Sequence, residues 1–222
     1  MAAETVALIS KSAAVIPIPA RKARPARYNR GQMAFLSTAE MLAVLRAARR
    51  RSSRDWAMIL VAYRHGMRAS EVCGLRREDL NLPDESITIR RLKGSLDTCQ
   101  PLCGHAGQPL LDELKALRQW MKDRPGDGSD YVFTSQKGGR IDRSQFFRIF
   151  QGCAETAGLA RAKWHPHVLK HSLATHLIDR NVNLAVVKRA LGHKSINSTM
   201  IYVTVSDRQA GDLSRAALMG LY

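Results

Sequence analysis

The hydrophobic period of this chain changes once, for a short run, and that run restricts the fold more than any other feature. Up to Leu75 apolar residues recur at helical spacing; in SITIRRL, residues 86–92, they alternate with polar ones; beyond residue 109 the helical spacing returns. The β-branched Ile87, Thr88 and Ile89 suit a pleated strand, and TCQPL returns after residues 93–97. The pair reads as a β-hairpin whose turn contains Lys93 and Gly94. Each element must bury its apolar face on another. The expected fold is therefore mainly α with a small antiparallel β-sheet, an α+β domain over residues 34–222.

Helix ends are marked by side chains that satisfy free backbone groups. Ser37 and Glu40 make a capping box ahead of MLAVLRAARRR, and Gly66 suits the position just past a helix over residues 53–66. A shorter helix begins near Ala69 and carries Glu71, Val72 and Leu75. Helices are expected at 109–122 and 142–157, with a short strand YVFT and a Gly138-Gly139 turn between them. From Pro166 the chain is helical in pieces broken at Asn181, Gly192 and Asp207. Residues 1–33, with six Lys or Arg, three Pro and no amphipathic period, form a basic flexible arm.

Lys and Arg number 35 against 19 Asp and Glu, a formal net charge of +16. Such an excess points to a polyanion, most often nucleic acid, with a solvated basic surface or an anionic membrane as the blander readings. No apolar run exceeds WAMILVAY, far short of the roughly 20 residues that a bilayer requires, so no membrane partner is expected. Glu4 and Lys11 spoil a secretory signal, and four scattered cysteines make no disulfide framework, so a reducing cytosol is expected. Arg49, Arg50 and Arg51 read as a stripe facing DNA phosphates, or else as a solvated helix face.

The densest chemistry lies in HPHVLKHSLATHL, residues 165–177. Entered at Pro166, a helix there places His167, Lys170 and His171 on one face, able to hold a metal or an anion. A zinc protease helix needs glutamate where this chain has Val168, and no Asp, Glu or Cys lies between Arg161 and Ile178. Cys99, Cys103 and His105 make three corners of a zinc site without an evident fourth, so no metal is expected. An anion remains, because imidazolium and ammonium groups donate to phosphate oxygens. His165, His171 and His176 are read as structural.

Four stretches now read together. HGMRASEVCGL holds Arg68 at a helix entrance with Glu71 three residues on, RRLKGSLDTCQPL holds Lys93, HPHVLKHSLATHL holds His167 and Lys170, and ALGHKSINSTMIYV holds His193 and Tyr202. In order and spacing they resemble the tyrosine recombinases, the integrase family of DNA strand-exchange enzymes, over nearly the whole chain from Phe35. The resemblance implies that family's catalytic domain, alone, since residues 1–33 are too short for a separate DNA clamp. It implies Arg68 as first phosphate clamp, Lys93 as the lysine of the sheet, His167 as the histidine of the HxxR box, His193 as a further donor and Tyr202 as nucleophile. That box calls for arginine where this chain has Lys170.

The chemistry of the residue types agrees with those roles. In-line attack on a phosphodiester gathers charge on its nonbridging oxygens, so fixed donors around one phosphate are needed. A tyrosine hydroxyl is a weak nucleophile near neutrality; His167 is the candidate base, and Lys93 on the hairpin the candidate acid for the leaving 5′ oxygen. A covalent 3′-phosphotyrosine would conserve the energy of the broken bond, so no cofactor is expected. The resemblance also implies double-stranded DNA as partner, a homotetramer on paired sites joined through a C-terminal helix at 207–219, an accessory DNA-bending protein as candidate helper, and a cytoplasmic, nucleoid-associated location. Two other readings stand beside it: a non-catalytic or weakly active DNA-binding or regulatory protein on the same fold, and relaxation of DNA as by type IB topoisomerases.

Overall fold

The computed structural model describes residues 33–92, 94–126 and 128–203, with 214, 215, 218 and 219. The N-terminal arm up to residue 32, Lys93, the break expected at Asp207 and most of the helix expected at 207–219 lie outside the described residues.

Two helices packed on each other open the domain, α1 (Thr38–Arg51) and α2 (Ser53–Arg64). The capping box is formed: Ser37 Oγ accepts from the Glu40 amide at 3.2 Å, and the Glu40 carboxylate accepts from the Ser37 amide at 2.7 Å. Ser52 breaks the helix with an extended backbone and caps α2 by accepting from the Asp55 amide. Every residue of α2 from Asp55 to Ala62 is buried, which makes it the central helix of the core. Against it pack α1, α4 (Glu113–Asp123), started by Asp112, and α6 (His167–Asp179). α5 (Arg143–Thr156) covers α1 and the short α3 (Ala69–Cys73). Ser172, buried in α6, accepts from the Leu36 amide at 2.8 Å and so ties the start of the described chain to the site helix.

The sheet has three antiparallel strands in the order β1 (Leu80–Asn81), β2 (Ser86–Ile89) and β3 (Thr98–Pro101). Register runs from Ser86 opposite Pro101 to Ile89 opposite Thr98. The strand expected to continue to residue 92 stops at Ile89, so β2 and β3 are farther apart in sequence than a tight hairpin turn would leave them. The physical reason is Arg91. Its side chain leaves the ladder for the interior, and its amide donates to Asp97 at 2.7 Å. The strand expected at YVFT is reduced to isolated bridges, Arg76 with Tyr131 and Thr134 with Arg140. The helix expected from residue 109 begins as a single 3-10 turn, Pro109–Leu111, before α4.

After α6 the chain turns at Asn181, in the left-handed region with φ of 57°, into α7 (Leu184–Ala190). It turns again at Gly192, φ 68°, and passes through α8 (Asn197–Met200) to Tyr202. Both breaks stand where the sequence placed them. Leu173, Ala174, Val187 and Leu191 form a second apolar cluster between α6 and α7, with Tyr202 packed on it. No described helix is long and apolar enough to cross a membrane.

Candidate active site

Arg68 reaches the surface because the chain reverses sharply after α2. Gly66 takes a positive φ of 54°, and a Cβ there would stand 2.7 Å from the Leu191 side chain. The turn leaves Arg68 extended at the start of α3, where the Glu71 carboxylate accepts from its amide at 2.8 Å and from its guanidinium at 2.7 Å. One carboxylate thereby caps the helix and holds one edge of the guanidinium, while Nη1 also donates to Ser95 Oγ at 3.3 Å. Burial alone would raise the Glu71 carboxyl, but the Arg68 amide and guanidinium, Arg91 and Lys170 outweigh it and hold the group below its ordinary range.

Arg91 lies beneath this pair with its side chain wholly buried. It bonds Glu71 at 3.1 Å and donates to the carbonyls of Gly66, His65 and Ala190. The ends of α2 and α7 and the connection after β2 meet at this one guanidinium. Lys170 enters from α6, 4% exposed, and donates to the Gly66 carbonyl at 3.1 Å and the Leu191 carbonyl at 2.8 Å. Burial first, then Arg91 and Arg68, bring its ammonium down from 10.5 to about 7 against the opposing pull of Glu71. His193, buried after Gly192, has Nδ1 3.0 Å from Thr199 Oγ1. Burial, Lys170, Arg68 and Arg91 lower it to about 4.

Tyr202 meets α6 from the other side. Its hydroxyl lies 2.9 Å from Nδ1 of His171, and the two rings are 5.7 Å apart. Burial raises the hydroxyl to about 12, with the Arg68 charge opposing. His171 stacks on His167 with ring centres 6.1 Å apart; burial, then His167, His165 and Lys170, lower it to about 4. His167 itself is exposed and lines a cleft of about 1140 Å³ between the start of α3 and α5. Arg68, Arg140, Arg143, Arg148 and His165 share that wall, with half-exposed Phe147 among them.

Of the residues singled out in the sequence, Arg68 and His167 line the cleft, Lys170 and His193 lie buried behind it, and Tyr202 joins them through His171. Lys93 lies outside the described residues, but its connection is anchored beside the site by the Leu96 amide donating to the Gly192 carbonyl at 3.0 Å. Arg49, Arg50 and Arg51 do not line this cleft. Arg49 lies 4.9 Å over the Trp56 ring and Arg51 bonds Asp55 at 3.2 Å, and both stay exposed on α1. Among the described residues no group of three or more His, Cys, Asp or Glu is placed to hold a metal ion, at Cys99, Cys103 and His105 or elsewhere.

Sequence reasoning missed Arg91, the partnership of His171 and the cleft arginines. Arg91 had a signal: the alternation that turns Ile87 and Ile89 inward turns residue 91 inward too. His171 stood on the noted face of α6. Arg140, Arg143 and Arg148 had no motif; they share a wall only because α5 packs beside α3.

Comparison with known proteins bears on the family and the fold. The model of the phage integrase family matches residues 34–209. The type 1 fimbriae regulatory protein FimE of Escherichia coli K12 is 36% identical over 154 residues, covering 68% of this chain and 74% of FimE. FimB of the same strain is 35% identical over 173 residues, covering 76% of this chain and 82% of FimB. The crystal structure of XerA recombinase superposes with a TM-score of 0.68 at 27% identity, over 83% of this chain and 65% of that one. The chain belongs to the phage integrase family and is a tyrosine-type site-specific DNA recombinase.

Proposed function

We propose that this recombinase cuts and rejoins double-stranded DNA through a covalent 3′-phosphotyrosine at Tyr202. The observation that carries the reading is the convergence of Arg68, Arg91 and Lys170 on the single carboxylate of Glu71, with the Tyr202 hydroxyl in the field of Arg68. Positive charge there exceeds negative: burial first, and then the neighbouring cations, lower Lys170 and His193. Such a site takes an anion, and the arginine-lined cleft in front of it admits a phosphodiester backbone.

Arg68 and His167 donate to the nonbridging oxygens of the scissile phosphate, and Lys170 and His193 add to the positive field behind them. Tyr202 attacks phosphorus in line. Lys93 protonates the departing 5′ oxygen, and attack by a 5′-hydroxyl in the reverse direction rejoins the strand without ATP or a metal. Four copies on two DNA sites make the working assembly, linked by their C-terminal segments and helped by a DNA-bending protein. Its place of action is the nucleoid.

A specific observation favours a second reading, a weakly active DNA-binding protein. The Lys170 ammonium already bonds two carbonyls inside the protein. One experiment separates the two: incubation with a nicked suicide duplex built from inverted repeats beside the gene. A covalent adduct that Tyr202→Phe abolishes, with DNA binding kept, supports the recombinase. Binding without any adduct in the unaltered protein supports the second reading.

A further inference from the structure

The Tyr202 hydroxyl shares a 2.9 Å hydrogen bond with Nδ1 of His171, the residue after the box lysine. We infer that His171 accepts the Tyr202 proton as the hydroxyl oxygen attacks phosphorus, which leaves His167 to bind phosphate on the cleft wall. The inference rests on Tyr202 being the nucleophile.

Three observations place the proton there. The α6 face that aims His167 at the cleft carries His171 one turn on, half-buried, with the two rings stacked. Tyr202 is fixed from behind by its amide donating to the Thr199 carbonyl at 3.1 Å and by the apolar cluster of α6 and α7. The hydroxyl therefore does not reach His171 by chance rotation of a surface side chain. Burial first, then His167, His165 and Lys170 along α6, disfavour an imidazolium at His171, while burial keeps the Tyr202 phenol un-ionised against the Arg68 charge at the start of α3. His171 is assigned the neutral tautomer that carries its proton on Nε2, in which the hydroxyl donates and Nδ1 accepts.

At rest the proton stays on oxygen, since burial favours the neutral form of each partner. A phosphodiester in the cleft changes both sides of that balance. Its charge offsets the cations that oppose an imidazolium, and the phenol grows far more acidic as its oxygen bonds to phosphorus. In cleavage the Oη–P bond forms, the P–O5′ bond breaks, the Tyr202 proton passes to His171 Nδ1, and a separate acid protonates O5′. In ligation the 5′-hydroxyl attacks and gives its proton back to that acid's conjugate base, the P–O5′ bond forms, the P–Oη bond breaks, and His171 returns its proton to the tyrosine. The resting gap also keeps the nucleophile inert without DNA.

The test is single-turnover cleavage by the full chain between about pH 6 and pH 9, on the nicked suicide duplex and on its 5′-bridging phosphorothiolate analogue. Sulfur leaves without needing a proton, so the analogue isolates base from acid. His171→Ala should slow both substrates by about 10² to 10⁴-fold, the usual worth of a general base. It should also rise about tenfold per pH unit where the unaltered protein is flat, and recover in part with added imidazole. His171→Asn, which keeps a hydrogen bond to the hydroxyl without basicity, should stay slow. A His171→Ala variant that is slow but shows the unaltered pH profile and no imidazole response would make His171 a structural residue and overturn the inference. Full activity in His171→Asn would reduce His171 to a positioning residue, with the same result. Adduct formation by Tyr202→Phe would instead remove the nucleophile on which the inference rests.

Discussion

Arg91 and Glu71 form a 3.1 Å ion pair in which neither side chain is exposed to solvent. The same carboxylate holds the Arg68 guanidinium at 2.7 Å, so the outer arginine owes its orientation to the inner one. Removing one partner of a buried pair strands a charge in low dielectric, which costs about 3–5 kcal/mol. Arg91→Ala should lower stability by that amount in urea denaturation, because the His65 carbonyl also loses the guanidinium donor and the Gly66 and Ala190 carbonyls keep only Lys170 and Gln100. A loss under about 1 kcal/mol would mean that water replaces the guanidinium.

Lys170 should matter for charge more than for shape. Lys170→Ala removes a positive group and a donor to two carbonyls. Single-turnover cleavage should fall about ten to a hundredfold, the worth of one charge-assisted bond of about 1.5–3 kcal/mol. Lys170→Arg keeps the charge and should retain activity. Cleavage by Lys170→Ala at the unaltered rate would place the group outside the reaction.

Stability should rise with pH in two windows. His171 and His193 have folded-state values near 4 against an ordinary 6.5, so between those limits the unfolded chain binds more protons than the folded one. Acid therefore costs stability as pH falls from about 6.5 to 4. By the same sign Lys170, near 7 against 10.5, gives stability that rises with pH from about 7 to 10.5. Thermal melts across pH should show both slopes. Lys170→Met should flatten the upper one, and His193→Asn should reduce the lower.

The cleft arginines and the α1 arginines should separate in salt titrations of DNA binding. Arg143→Ala and Arg148→Ala should each reduce the slope of log affinity against log salt by about 0.9, one phosphate contact apiece. Arg49→Ala should leave the slope unchanged, since that side chain lies outside the cleft. The opposite result would move the DNA path from the cleft to α1.

Deletion of residues 1–32 should flatten the same slope, by about 0.9 for each phosphate contact that the arm makes. An unchanged slope would assign the arm to protein contacts instead.

Local rules reached far into this protein. The capping box at Ser37, the helix end at Gly66, the entry of α6 at Pro166 and the breaks at Asn181 and Gly192 follow from backbone needs satisfied within a few residues. The order of Arg68, His167, Lys170, His193 and Tyr202 was legible because each sits in a recognisable motif. Tertiary structure alone decided how those residues meet. Arg91 ended β2 early because three carbonyls and Glu71 reward its burial more than one further rung of a short ladder would. The cleft arginines became one surface through the packing of α5 on α3, a contact with no periodic signature in the chain. His171 was distinguished from the other histidines of α6 only when the turn at Gly192 and the short α8 carried Tyr202 back to it. A hydrogen bond between residues 31 apart in sequence depends on where the intervening turns bring the chain, and no local pattern encodes that distance.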